Sequence, residues 1–294
     1  MKIALLLILS ILFFGMQTVA LKKIDVTTLR ENILETGLFS AVVAAVFWVR
    51  EAAVGERIGP VTVGFGVLFG VILIATIACY FYAMQTGPLS YTAFFYSASM
   101  VIPALAGVLV WRDTFRWTMG VGIALFVAAF YLICVPGAGA GGRKSRRWMV
   151  LCFATFVLNG SLSVLVKAQQ MATHGREAAG MTTMAFTSAF VLAVAVYVLL
   201  LGARKSFPAA KGELRHMGRL ALPLLALAVG NGGGNLSVTW LSSRISSAYL
   251  FPTVLGGMMV GVTVYSVLAL RERLDRFGAA GLLCGIAALV AINL

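Results

Sequence analysis

Two asparagines, Asn231 and Asn235, stand four positions apart inside the stretch LALAVGNGGGNLSVTW, Leu225 to Trp240. On a helix that spacing stacks them one turn apart on a single face. Each amide offers donors and an acceptor, so the pair could hold a small polar ligand. Similar chemistry recurs in apolar surroundings at Gln17 and Thr18, Tyr80 and Tyr82, Tyr96 and Ser99, Asn159 and Ser163, and Tyr249 and Thr253. Lys167 adds an ammonium that could attract a carboxylate or phosphate. Its alternative role is to end a helix and snorkel its charge to the headgroups. These groups bind; they do not form a catalytic constellation. His174 and His216 fall in polar stretches without HExxH spacing, and Cys79, Cys134, Cys152 and Cys284 lie in apolar runs without CxxC spacing. The cysteines read as small apolar residues, and neither an enzyme, a cofactor nor a metal site is expected.

The elements that must position these residues follow from composition. Of 294 residues 61% are hydrophobic and only 11% charged, and the mean hydropathy is +0.97. A soluble domain has about a quarter of its residues charged. Apolar runs long enough to cross a bilayer as helix recur between short polar breaks. They predict an all-α, polytopic membrane protein with ten transmembrane helices at 2–21, 33–50, 60–85, 89–111, 115–135, 148–170, 180–202, 219–241, 245–270 and 275–294. The candidate polar residues fall in the first, third, fourth, sixth, eighth and ninth spans. Polar side chains facing lipid are costly, so a cavity near the midplane is expected, bounded by Gln17, Tyr82, Tyr96, Asn159, Ser163, Asn231, Asn235 and Tyr249. The opening stretch of the chain also resembles a secretory signal, but its apolar run continues to Leu21 without a small-residue cleavage site. It reads as the first helix.

The glycines around Asn231 invite a phosphate-loop reading that the strand-free context rejects. Two readings remain for the run. It marks a bend or thin wall beside the pocket, where exposed backbone is tolerated, or Gly230 and Gly234 form a GxxxG pair that lets two backbones approach. Gly66 with Gly70, Gly257 with Gly261, and Gly281 with Gly285 read as packing pairs, so a leucine at Gly261 is expected to force helices apart.

The chain also repeats itself. FFGMQTVALKK (Phe13 to Lys23) aligns without gaps on LNGSLSVLVKA (Leu158 to Ala168), setting Gly15 on Gly160, Thr18 on Ser163 and Lys22 on Lys167. WRDTFRWTMGVG (Trp111 to Gly122) matches LRERLDRFGAAG (Leu270 to Gly281), setting Arg112 and Asp113 on Arg271 and Glu272. Five helices followed by five place the halves in the membrane with opposite orientation, an inverted repeat of the kind that builds secondary transporters. The halves are 1–136 and 148–294, joined by a basic linker at 137–147.

These paired features, with GPLSYTAFFYSASMVIPALAGVLVWRDTF and its counterpart SSRISSAYLFPTVLGGMMVGVTVYSVLALRERL, resemble the drug/metabolite transporter superfamily, specifically its ten-helix EamA-type members. The resemblance covers essentially the whole chain, with Asp113 standing where the first half usually has Glu. It implies a central cavity between helices one, three and four and helices six, eight and nine, and alternating access by rocking of the halves.

The spans are read as free of embedded Asp and Glu, so a small neutral, zwitterionic or anionic metabolite, amino-acid-like, is favoured over a lipophilic cation as the exported substrate. The alternative class is a non-transporting receptor or assembly partner. The net charge of +13 sits in loops between spans, where it contacts anionic lipid headgroups and does not imply nucleic acid. Lys and Arg are denser in the loops away from the termini, which by the positive-inside rule puts both termini outside. The family resemblance instead implies cytoplasmic termini. A plasma (inner) membrane of bacterial type, a monomer or weak homodimer, and an unspecified coupling ion complete the expectations.

Overall fold

The computed structural model describes residues 2–21, 23–24, 26–86, 92, 95–96, 98–134, 146–203, 207–269 and 276–294. Among them it is all-helical: α1 Lys2–Leu21, α2 Leu29–Val54, α3 Pro60–Thr86, α4 Val101–Trp111, α5 Trp117–Cys134, α6 Arg146–Ala172, α7 Ala178–Ala203, α8 Phe207–Arg219, α9 Ala221–Ser242, α10 Ser247–Ala269 and α11 Arg276–Asn293. By length and composition α1, α2, α3, α6, α7 and α9 can each cross a membrane, and α4, α5, α10 and α11 are shorter apolar helices. The linker residues 137–145 lie outside the described residues, as do Lys22, Arg271 and Glu272.

Local chemistry fixes the helix ends. At the start of α2 the Thr28 hydroxyl accepts from the Glu31 amide at 3.2 Å, and the Glu31 carboxylate accepts from the Thr28 amide at 3.1 Å, a reciprocal capping box. α2 ends at Gly55, whose φ of 72° allows its N–H to reach the Glu51 carbonyl at 2.8 Å.

The helices pack in crosswise pairs. α1 lies on α9 and α6 lies on α3; α1 also meets α10, and α6 meets α4. α2 packs on α7, α5 on α11, and α4 on α10. The main core collects Phe39, Phe69 and Phe186 from α2, α3 and α7, with Leu227 and Ala228 from α9. Close approach of α3 to α7 depends on Gly66 and Gly70, where any Cβ would overlap the Met184 and Ser188 backbone. Ser188 Oγ donates to the Gly66 carbonyl at 2.7 Å across the same contact.

α8 is an additional helix, in a polar segment where the ten spans predict a loop. Its charged residues recur with helical spacing, and Glu213 pins it. The Glu213 carboxylate accepts from Arg30 Nε at 2.7 Å and from the Tyr197 hydroxyl at 2.7 Å, tying α8 to α2 and α7.

Candidate functional site

The sequence-selected residues gather in several places. At the centre of α6, Asn159 Nδ2 donates to Ser99 Oγ at 2.6 Å and to the Tyr96 carbonyl at 3.2 Å, and Ser99 is itself buried. The Tyr96 ring lies 4.8 Å from the Tyr80 ring. α3, α6 and the segment before α4 therefore share one polar knot.

A second group lies on α9. Asn235 Nδ2 donates to the Asn231 side-chain oxygen at 2.8 Å and to its carbonyl at 2.9 Å. One amide-to-amide hydrogen bond thus links the pair along one helix. Asn235 also borders a small void of about 10 Å³, with Thr182 and Phe186 of α7 and Thr239 of α9. That is about the room one water needs.

The others separate. Gln17 on α1 packs against Gly230 and leaves its side-chain oxygen buried without a partner. Thr18 Oγ1 donates to the Phe14 carbonyl at 2.9 Å and lies 3.6 Å from the Met258 sulfur of α10. Thr253 is buried with an unpartnered hydroxyl, Ser163 and Tyr249 are half-buried, and Tyr82 is 42% exposed.

Lys167 is only 3% exposed, so it does not snorkel. Its ammonium lies 3.5 Å from Asp113 Oδ1 and 3.4 Å from the Ile245 carbonyl. Asp113 Oδ2 in turn accepts from the Ser247 amide at 2.6 Å, at the first turn of α10. One ion pair thus joins α6, the end of α4 and the start of α10. The sequence placed Asp113 and Lys167 in separate repeat motifs; that they meet is a tertiary fact.

Two sequence expectations are corrected. The spans are not free of carboxylates. Glu35 lies within the second span, about 9 Å along α2 from its first residue, and is 4% exposed with one carboxylate oxygen lacking a hydrogen-bond partner. The argument against cations therefore loses its premise. The glycine run, secondly, does not interrupt the helix and serves packing: α9 is continuous from Ala221 to Ser242. A Cβ at Gly230 would meet the Phe13 carbonyl at 2.6 Å, at Gly232 the Val43 side chain at 2.9 Å, and at Gly234 the Phe14 ring at 2.8 Å. The run lets α1 and α2 close on α9 from different sides. Gly261 is the converse, since nothing lies within 4 Å of its would-be Cβ. A side chain there forces no helices apart.

Beside these groups, a vestibule of about 740 Å³ opens where α1 begins and α2, α6 and α9 end. Arg50, Arg57, Arg176, Glu56 and Glu177 line its mouth, and Leu6, Leu236, Ser237 and Trp240 its inner wall. Leu236 directly follows Asn235, so the vestibule reaches the same stretch of α9 as the paired amides. The sequence reading assigned these arginines to headgroup contacts, because they are scattered over two loops and no motif joins them.

Comparison with known proteins gives a family match to the N-terminal part of the chain. Residues 1–135 match the EamA-like transporter family. The resemblance to the drug/metabolite transporter superfamily is thereby borne out over residues 1–135, and with the apolar helices it supports a multi-pass integral membrane protein. The EamA-like match ends one residue beyond α5, so it holds Gln17, Thr18, Tyr80, Tyr82, Tyr96 and Ser99, while Asn159 to Thr253 lie in the following half. A solved structure described only as a crystal structure of a protein shares the fold, with a TM-score of 0.70 at 17% identity over 99% of this chain and 96% of that one. No curated protein matches the chain.

Proposed function

We propose that this chain is a secondary active transporter that exports a small neutral, zwitterionic or anionic metabolite by alternating access of two inverted five-helix halves, 1–136 and 148–294. The observation that carries the reading is an exchange of contacts. Gly15 of α1 faces Val262 of α10, and Gly160 of α6 faces Ile102 of α4. The repeat alignment sets Gly15 on Gly160, and the offset of the second repeat match sets α4 on α10. Swapping the halves therefore turns one contact into the other. The same exchange turns α1 on α9 into α6 on α3, and leaves the pairs α2 with α7, α5 with α11 and α4 with α10 unchanged.

Such symmetry supplies two equivalent ways to close a path between the halves, which a receptor or assembly partner does not need. The candidate site is the polar stretch of α9 and α6, with Asn235, Asn231, Asn159 and Ser99 as the hydrogen-bonding groups and Gln17 and Thr253 as unpartnered buried ones. One end of the path is the vestibule, and the void at Asn235 is too small for a metabolite, so this arrangement corresponds to a conformer open on the side of the termini. The arginines at that mouth now carry the preference for neutral, zwitterionic or anionic substrates. The bilayer is read as a bacterial-type inner membrane.

The test has two steps. A thermal-shift screen of purified protein against metabolite classes finds a ligand, since binding to the folded state raises apparent stability by mass action. Cysteines placed singly at Ser237 and at Thr18, which lie toward opposite ends of the path, in a background without native cysteines, are then labelled with an impermeant thiol reagent from either side. Alternating access requires Ser237→Cys to react from the side of the termini, and the ligand to change the labelling of the two positions in opposite directions. Ligand binding with labelling unchanged at both positions contradicts the proposal and favours a receptor.

A further inference from the structure

We infer that the vestibule is an anion site, selecting small organic carboxylates or phosphates with a flat apolar body. The inference deepens the transporter reading and rests on it for its role at the mouth of the path.

Two unengaged guanidinium groups in the lining carry it. Three arginines and two glutamates line the vestibule, and Arg50 and both glutamates are held by contacts within the protein. Arg50 Nη1 lies 2.7 Å from Glu56 and 2.9 Å from Glu51, so this guanidinium is already engaged by two carboxylates. Glu177 Oε2 accepts from the Gly59 amide at 2.9 Å. Arg57 and Arg176 have no ion-pair partner among the described residues. Two guanidinium forks are therefore free at one cavity, in the geometry that carboxylate and phosphate oxygens fit in pairs.

The loop that presents Arg176 is built for it. Gln170 Nε2 and Thr173 Oγ1 donate to the Arg176 carbonyl at 3.0 Å and 2.8 Å. His174, Gly175 and Glu177 all adopt left-handed backbone, with φ of 54°, 76° and 57°. For His174 and Glu177 that conformation is strained, and it persists where the surroundings impose it. Here the imposing contact on Glu177 is the Gly59 amide, which ties the loop to the one after α2 that carries Arg57.

The inner wall supplies the apolar half. Leu6, Leu236 and Trp240 line it, and the Arg244 guanidinium carbon sits 3.5 Å from the Trp240 ring centroid. That stacking holds the indole flat and brings a further positive charge to the vestibule's edge. The volume of about 740 Å³ suits one metabolite-sized molecule.

Equilibrium dialysis of the whole chain in neutral phosphatidylcholine nanodiscs tests the inference with 2-naphthoate and its uncharged analogue 2-naphthamide. Saturable naphthoate binding is expected, with naphthamide at least about tenfold weaker and the Arg57→Gln/Arg176→Gln variant weakened for naphthoate by a similar factor. Arg57→Lys/Arg176→Lys keeps the charge without the fork and should fall between. Adding phosphatidylglycerol separates two sources of the anion. Competition assigns the site to lipid headgroups and its absence assigns it to free solutes, and both keep an anion site. No saturable naphthoate binding, equal binding of acid and amide, or indifference to the glutamine pair overturns it. Because dialysis needs no flux, that failure leaves the transporter reading standing, and failed transport with intact binding leaves the anion site. Should the glutamine pair not fold, the acid-to-amide ratio and the lysine pair still decide.

Discussion

Replacing Asp113 with asparagine should destabilise the protein through Lys167. The side chains are 4% and 13% exposed for Lys167 and Asp113, so solvent screens the pair little. At their 3.5 Å separation and an effective dielectric near 20, the attraction is about 5 kcal/mol before desolvation. The net worth of the pair is smaller, but leaving one buried charge alone costs roughly 3–5 kcal/mol. Asp113→Asn retains an acceptor for the Ser247 amide, so its loss isolates the charge term. Lys167→Met leaves Asp113 with that amide and should cost less. The double variant removes both charges, and its loss should fall short of the two single losses added together by about 1–3 kcal/mol. A reversible unfolding titration in mixed micelles, run on all four proteins, measures this directly. Additive effects, or an Asp113→Asn loss below about 1 kcal/mol, would refute the pair as the joint between α4, α6 and α10.

The remaining predictions concern glycines, a buried acid and the paired amides. Gly234→Ala should lower the melting temperature, because its Cβ would sit 2.8 Å from the Phe14 ring, and overpacking costs about 1–3 kcal/mol; Gly261→Ala should be neutral or stabilising by up to about 1 kcal/mol. Equal melting temperatures would contradict the packing account of the run. Glu35→Gln should leave the melting temperature unchanged or raise it, since it removes an unpaired buried carboxylate; a marked fall would show that Glu35 has a partner that depends on its charge. Asn235→Leu should impair ligand binding, read by thermal shift, far more than stability, because hydrogen bonds between groups in membranes average only about 0.6 kcal/mol. Undiminished binding would remove Asn235 from the site.

Much of this architecture is legible in the chain because membrane helices announce themselves by unbroken apolar length. Each of the ten apolar runs has a helix in the structure, whereas α8 has no such run and shows only as charges at helical spacing in FPAAKGELRHMGR. Glu35 escaped because it sits two residues inside the second span, next to the polar entry at Arg30 to Asn32, where a carboxylate looks like part of a loop. The amide pair was readable from its spacing of four. What spacing cannot supply is who lies across the contact. Gly232 meets Val43, and Lys167 meets Asp113 through folding alone. The vestibule is the extreme case, since Arg57, Arg176 and Trp240 come from three separate parts of the chain and share no pattern until the helices converge.

The central claim is that the two halves move a solute across a bilayer. Counterflow in proteoliposomes tests it most directly: vesicles loaded with unlabelled ligand from the thermal-shift screen are diluted into a trace of the labelled compound. Alternating access predicts that label accumulates transiently inside to well above its equilibrium level, and that it does so only with ligand on the opposite side. A protein that binds the same ligand, keeps its melting temperature in the liposomes and accumulates no label would contradict the account.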